Sequence, residues 1–102
     1  MSFKDITIDE FKNQTDKNTI VIDIRDENSY MDENIPNSKN YTSEDIMRLI
    51  DEKDRSSNII IYCYKGNSSR KVAQFLSECG FKNVYNLIGG FKAWKDSLIW
   101  SN

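Results

Sequence analysis

The sequence predicts a small α/β domain built on a mostly parallel central sheet, with residues 1–102 forming one unit. Three observations carry that expectation. Strand signals and helix signals alternate along the chain. Two runs, residues 19–24 and 59–63, are rich in isoleucine and valine and nearly unbroken in hydrophobicity, as strands covered on both faces are. Capping residues and glycines mark helix starts and stops between them. A chain of 102 residues buries roughly two-thirds of the surface its unfolded form exposes, which lets it fold without disulfide or metal and leaves no room for a second domain.

The elements follow in order. Ile6 and Ile8 begin a short alternating stretch, and Asp9 is placed to cap a short helix through Phe11 to about Thr15. Residues 19–24 form the first buried strand. Glu27 to Met31 fits a helical turn, and Ile35-Pro36-Asn37 is a turn leading to an extended piece near Lys39, Asn40 and Tyr41. Thr42 or Ser43, followed by Glu44 and Asp45, starts a helix whose apolar face is Ile46, Met47, Leu49 and Ile50. Residues 56–58 break it. The strand at 59–63 leads into a helix from about Ser68 to Glu78, capped by Ser68 or Ser69, with Val72, Ala73, Phe75 and Leu76 toward the core and Gly80 as its stop. Residues 82–87 read as a strand, Gly89-Gly90 as a turn, and Phe91 to about Leu98 as a last helix. Trp94 and Trp100 are expected to pack this helix onto the sheet, the alternative being a partner surface.

Composition narrows the function classes. Fourteen basic and sixteen acidic residues give a formal charge of -2, which offers no basic surface for nucleic acid or membrane. The first residues, Met1 to Asp5, lack an apolar segment, and no apolar run reaches the ~18 residues of a membrane helix, so a cytoplasmic protein is expected. Cys63 and Cys79 make a poor disulfide pair and suit a reducing compartment. The chain has no histidine, which excludes a Ser-His-Asp triad, a Cys-His pair and a histidine-based zinc site. The acids Asp26, Glu27, Asp32 and Glu33 are spaced too loosely for calcium or magnesium and read as solvated surface. Neither metal nor cofactor is expected.

The chemistry concentrates at Cys63. It ends a buried strand, turns through Gly66 and enters a helix, whose unpaired N–H groups and dipole favour thiolate over thiol. A cysteine in this place is also a common small core residue. The loop after it, Tyr64, Lys65, Gly66, Asn67, Ser68 and Ser69, makes a poor core but a good cradle, since glycine lets successive N–H groups converge on one anion. Lys65 and Arg70 add positive charge, and Arg70 in a first helical turn runs against the dipole preference. Cys79, beside Gly80, reads as structural. Asp23 lies inside an apolar run, where a charge needs a partner, so Asp23 and Arg25 are expected to brace the site rather than form a surface ion pair.

Three segments, Asp23-Ile24-Arg25-Asp26 with Tyr30 and Ile35-Pro36, the loop from Cys63 to Ser69, and Gly89-Gly90-Phe91-Lys92-Ala93-Trp94, together resemble the rhodanese domain in order and spacing from about Val21 to Trp94. The loop is similar to that of the short single-domain bacterial thiosulfate sulfurtransferases, Cys-Tyr-x-Gly-Asn-Ser-Ser. The chain departs from the family at Glu33-Asn34-Ile35-Pro36-Asn37-Ser38, where Gly-His-Ile-Pro-Gly-Ala is usual, and at Ser29, where an acid usually precedes the aromatic. The resemblance implies a parallel sheet of about five strands with helices on both faces. It also implies ping-pong transfer of sulfane sulfur, from thiosulfate or a similar anion to Cys63 as a persulfide, with sulfite leaving, and then to cyanide or a thiol, including a thioredoxin-like protein. Lys65 matches a position where thiosulfate-using members often carry a cation. Two other readings stand beside this one. A persulfide relay module would share every motif. A cysteine phosphatase or arsenate reductase of related fold would need arginine six residues after the cysteine, where this chain has Ser69, with Arg70 one place late.

Overall fold

The computed structural model describes residues 2–100 and, of Trp100, the backbone alone. Five strands, β1 (Lys4–Ile6), β2 (Ile20–Asp23), β3 (Ser38–Asn40), β4 (Asn58–Tyr62) and β5 (Asn83–Leu87), form one sheet in the order β1-β5-β4-β2-β3. Every pairing is parallel. The helices between and after them are α1 (Ile8–Gln14), α2 (Glu27–Asp32), α3 (Ser43–Glu52), α4 (Ser68–Glu78) and α5 (Gly90–Trp100).

Side chains alternate between the two faces of a strand, and both faces of β4 are covered, which explains why it is apolar from Ile59 to Tyr62. Ile59 and Ile61 join Ile22, Ile46, Leu49, Ala73, Leu76, Phe81 and Val84 in a core on the α3/α4 side. Ile60 and Tyr62 point the other way, to Ile6, Phe11, Val21, Ile35, Leu87 and Phe91 on the α1/α5 side, where Trp94 packs as well. The Tyr62 hydroxyl is satisfied in that core by the Ile35 N–H at 3.2 Å and by Ser38 Oγ at 2.9 Å. Burial and the Asp23 carboxylate push its ionisation far above the ordinary tyrosine range.

Several elements differ from the sequence reading. Thr7, not Asp9, caps α1: its hydroxyl accepts the Glu10 N–H while the Glu10 carboxylate accepts the Thr7 N–H, a capping box that draws Ile8 into the helix. Met47 and Phe75 are exposed rather than in the core. Each stands one residue, about 100° of helix rotation, from a buried neighbour, Ile46 and Leu76, so the apolar stripes of α3 and α4 are narrower than their composition.

The sheet order places a switch point between β2 and β4. The chain leaves β2 toward β3 on one side and leaves β4 toward β5 on the other, and the crevice beyond the carboxyl ends of the two strands is where ligands of such sheets bind. Arg25 follows β2 and Cys63 follows β4 into that crevice.

Candidate active site

Cys63 is the first residue past the β4 ladder and is buried, with 8% of its surface exposed. The chain then reverses within three residues, which Gly66 permits at φ 96°. That reversal brings the Gly66 N–H to 3.1 Å and the Ser69 N–H to 3.4 Å from the Cys63 sulfur, with Ser69 Oγ at 3.3 Å. A side chain at Gly66 would also press on the Gly89 nitrogen and the Leu87 carbonyl.

The start of α5 holds the loop from below. Phe91 N–H donates to the Cys63 carbonyl at 2.8 Å and Lys92 N–H to the Tyr64 carbonyl at 3.0 Å. The orphan donors of the α5 first turn are thus spent on the loop carbonyls, which leaves the loop N–H groups to face the sulfur. Contact is so close that a Cβ on Gly90 would run into the Cys63 and Tyr64 carbonyl oxygens.

Neither Ser68 nor Ser69 caps α4. The cap position is Asn67, in helical conformation and without a side-chain bond, because the acceptor for the Ser69 N–H is the Cys63 sulfur itself. Burial pushes the Cys63 thiol up. Against it stand the Ser69 hydroxyl, to the extent that its proton turns to the sulfur, and the N–H groups of Ser69, Gly66 and Ser68, and the balance lies below the ordinary thiol value.

Asp23 is wholly buried and binds Arg25 through the backbone N–H at 2.7 Å, Nε at 3.0 Å and Nη2 at 2.7 Å. The guanidinium, 8% exposed, also donates to the Glu33 carbonyl and lies 4.1 Å above the Phe91 ring. Burial works against the Arg25 charge, and Asp23 outweighs it and raises the pKa. This pair fixes one wall of a cleft of about 430 Å³ that contains Cys63, Tyr64, Ser68 and Phe91.

Asp26, Asp32 and Glu33 line the same cleft, as does Lys95, which pairs with Glu33 at 2.6 Å. These residues and Phe91 escaped the sequence reading as site residues, because only the folding of α2 and α5 around the crevice brings them there. Lys65 and Asn67 are exposed on the loop and stand outside the residues that line the cleft. Arg70 turns to the sheet edge, where it grips Asp5 at 2.6 and 2.7 Å and covers the Phe3 ring. Cys79 is half-buried against the α3/α4 core, and its carbonyl accepts from Arg55. A further polar residue, Asn86 of β5, is buried behind the loop and bonds both Ser69 and Asp5. Its signal was the one that exposed Asp23: a polar side chain inside an apolar strand.

Fold and loop define a class: a parallel α/β domain that presents a cysteine at its switch point to converging backbone amides of the loop that follows. The chain belongs to the rhodanese family, the rhodanese-like domain matching residues 7–97. It is 44% identical over 96 residues to the thiosulfate sulfurtransferase GlpE of Pseudoalteromonas translucida, covering 93% of this chain and 91% of that protein. The protein of the same description from Coxiella burnetii is 42% identical over 79 residues, 78% of this chain and 74% of its own. Among solved structures, a rhodanese-like domain protein from Staphylococcus aureus superposes with a TM-score of 0.77 at 30% identity, covering 90% of this chain and 91% of that one.

Proposed function

We propose that the protein is a thiosulfate sulfurtransferase that works through a persulfide on Cys63. The observation that carries the reading is the sulfur of Cys63 at the focus of the Gly66 and Ser69 N–H groups, with no acid or base side chain among the described residues bonded to it. Backbone amides stabilise charge on sulfur in the thiolate and in the persulfide without moving a proton.

The Cys63 thiolate attacks the outer sulfur of thiosulfate. A sulfur–sulfur bond forms to Cys63, the bond to the sulfonate sulfur breaks, and sulfite leaves with the electron pair. A nucleophilic acceptor then attacks the terminal sulfur and the Cys63 thiolate departs. Cyanide gives thiocyanate, and a small thiol or a thioredoxin-like protein gives a new persulfide. Tyr64, half exposed, and the open cleft leave the terminal sulfur accessible to such acceptors. We place Asp23 and Arg25 as the brace of the cleft, and residues 1–102 as a single domain.

The geometry disfavours phosphate chemistry. Arg70 is committed to Asp5 at the sheet edge and is absent from the cleft lining, so no guanidinium from the loop wraps an oxyanion above Cys63. The test is steady-state turnover with thiosulfate and cyanide, reading thiocyanate and sulfite in equal amounts with ping-pong kinetics. Loss of both products in Cys63→Ala supports the reading. Hydrolysis of an aryl phosphate, or thiocyanate formation surviving the substitution, overturns it. Transfer to a protein thiol that greatly outpaces transfer to cyanide identifies a relay in place of a free-standing enzyme.

A further inference from the structure

Ser69 stands between the reactive sulfur and the buried amide of Asn86, and its hydroxyl has one proton to give. Asn86 decides where that proton goes. Its Nδ2 is 3.0 Å from Asp5 Oδ1 and 3.4 Å from the Gly66 carbonyl, two acceptors that fix which end of the amide is the nitrogen. The other end, Oδ1, lies 2.5 Å from Ser69 Oγ, a distance two oxygens hold only with the hydroxyl proton between them. Ser69 therefore donates to Asn86 and presents a lone pair to Cys63. In the thiol form Cys63 S–H donates to that lone pair across 3.3 Å.

We propose that Asn86 is a positioning residue that withholds the Ser69 hydroxyl from the Cys63 sulfur, and that Asp5, gripped by Arg70, holds Asn86 in the orientation that does so. The thiolate is left to the backbone amides alone. That arrangement suits a nucleophile, since a thiolate stabilised further attacks more slowly and leaves more readily, and the best attacking thiol titrates near ambient pH. The charged groups around the sulfur are otherwise those of the cleft, Arg25, Asp26, Asp32 and Glu33 on one side and Lys95 of α5 on the other, none of which touches Asn86.

The inference rests on Cys63 as the nucleophile of the proposed reaction, and its test needs no sulfur donor. Alkylation of Cys63 by iodoacetamide is followed against pH, with the modified peptide quantified by mass spectrometry so that Cys79 does not contribute. Asn86→Leu, close in shape, frees the Ser69 hydroxyl to turn to the sulfur. The apparent pKa falls by about one unit, and the rate at the high-pH plateau falls about threefold, so the two profiles cross. Ser69→Ala leaves the pKa unchanged or lowers it, because it removes an acceptor of the thiol and no donor to the thiolate. In the Ser69→Ala background Asn86→Leu has no further effect on the pKa. A rise of about one unit in Ser69→Ala shows that the hydroxyl already serves the thiolate and overturns the proposal. So does an unchanged or raised pKa in Asn86→Leu, and if that variant fails to fold, Ser69→Ala decides alone. A protein that alkylates as described but transfers no sulfur refutes the proposed function and leaves this inference standing.

Discussion

Replacing Asp23 by Asn keeps the shape of the side chain and removes the charge that Arg25 was built around. Asp23 has no exposed surface and Arg25 has 8%, so the guanidinium left behind is neither paired nor hydrated. Three N–H groups of Arg25 then face an amide that offers one acceptor atom where the carboxylate offered two. Breaking a buried pair by removing one partner costs about 3–5 kcal/mol. The bond to the Glu33 carbonyl and the stacking on Phe91 survive, which puts this case near the lower end, about 3 kcal/mol. Urea unfolding at neutral pH reads it directly: with a slope of about 1.5 kcal/mol per molar, the midpoint falls by about 2 M. Replacing both residues, Asp23→Leu with Arg25→Met, restores most of the loss, because no buried charge is stranded. A loss below about 1 kcal/mol in Asp23→Asn is the behaviour of an exposed ion pair and refutes the reasoning.

Tyr62→Phe strands the buried Ile35 N–H and costs about 1–3 kcal/mol in the same assay, with a cost near zero contradicting the bond. Gly90→Ala puts a Cβ into the Cys63 carbonyl at a φ of 58° and displaces the loop. Sulfur transfer falls by about a hundredfold, and a wild-type rate would show that α5 does not hold the loop. Arg70, then Asn86, keep the Asp5 carboxyl below its ordinary range, and local hydrogen bonds do the same for Asp26, Asp45 and Asp54. The unfolded chain binds these protons first as pH drops, so their contribution is present above about pH 4 and is lost as pH falls through the lower folded values. The melting temperature accordingly declines below about pH 4, and Asp5→Asn declines less steeply; an identical acid slope in that variant removes Asp5 from the account.

Much of the fold was legible because its signals are local. The isoleucines of β4 announce a strand covered on both faces, and a lone aspartate in β2 announces a buried partner, which proved to be Arg25. The α4 boundaries were legible too, but its cap was not: a rule about serine hydroxyls cannot foresee that the sulfur of the residue just past β4 takes the Ser69 N–H. Arg70 illustrates the same gap. Its place in the helix suggested a role at the thiol, whereas its partner, Asp5, is 65 positions away in the chain and is brought beside it only by the β1–β5 pairing. The cleft wall from Asp26, Asp32, Glu33 and Lys95 was invisible for that reason as well.

The loop amides of Gly66 and Ser69 face the sulfur of Cys63, where the proposed persulfide is held. Intact-protein and peptide mass spectrometry after incubation with thiosulfate and removal of excess donor tests for it most directly. The expected result is a gain of one sulfur atom, located on Cys63, discharged by cyanide, and absent in Cys63→Ala. A protein that gains no sulfur, or carries it on Cys79, contradicts the proposal.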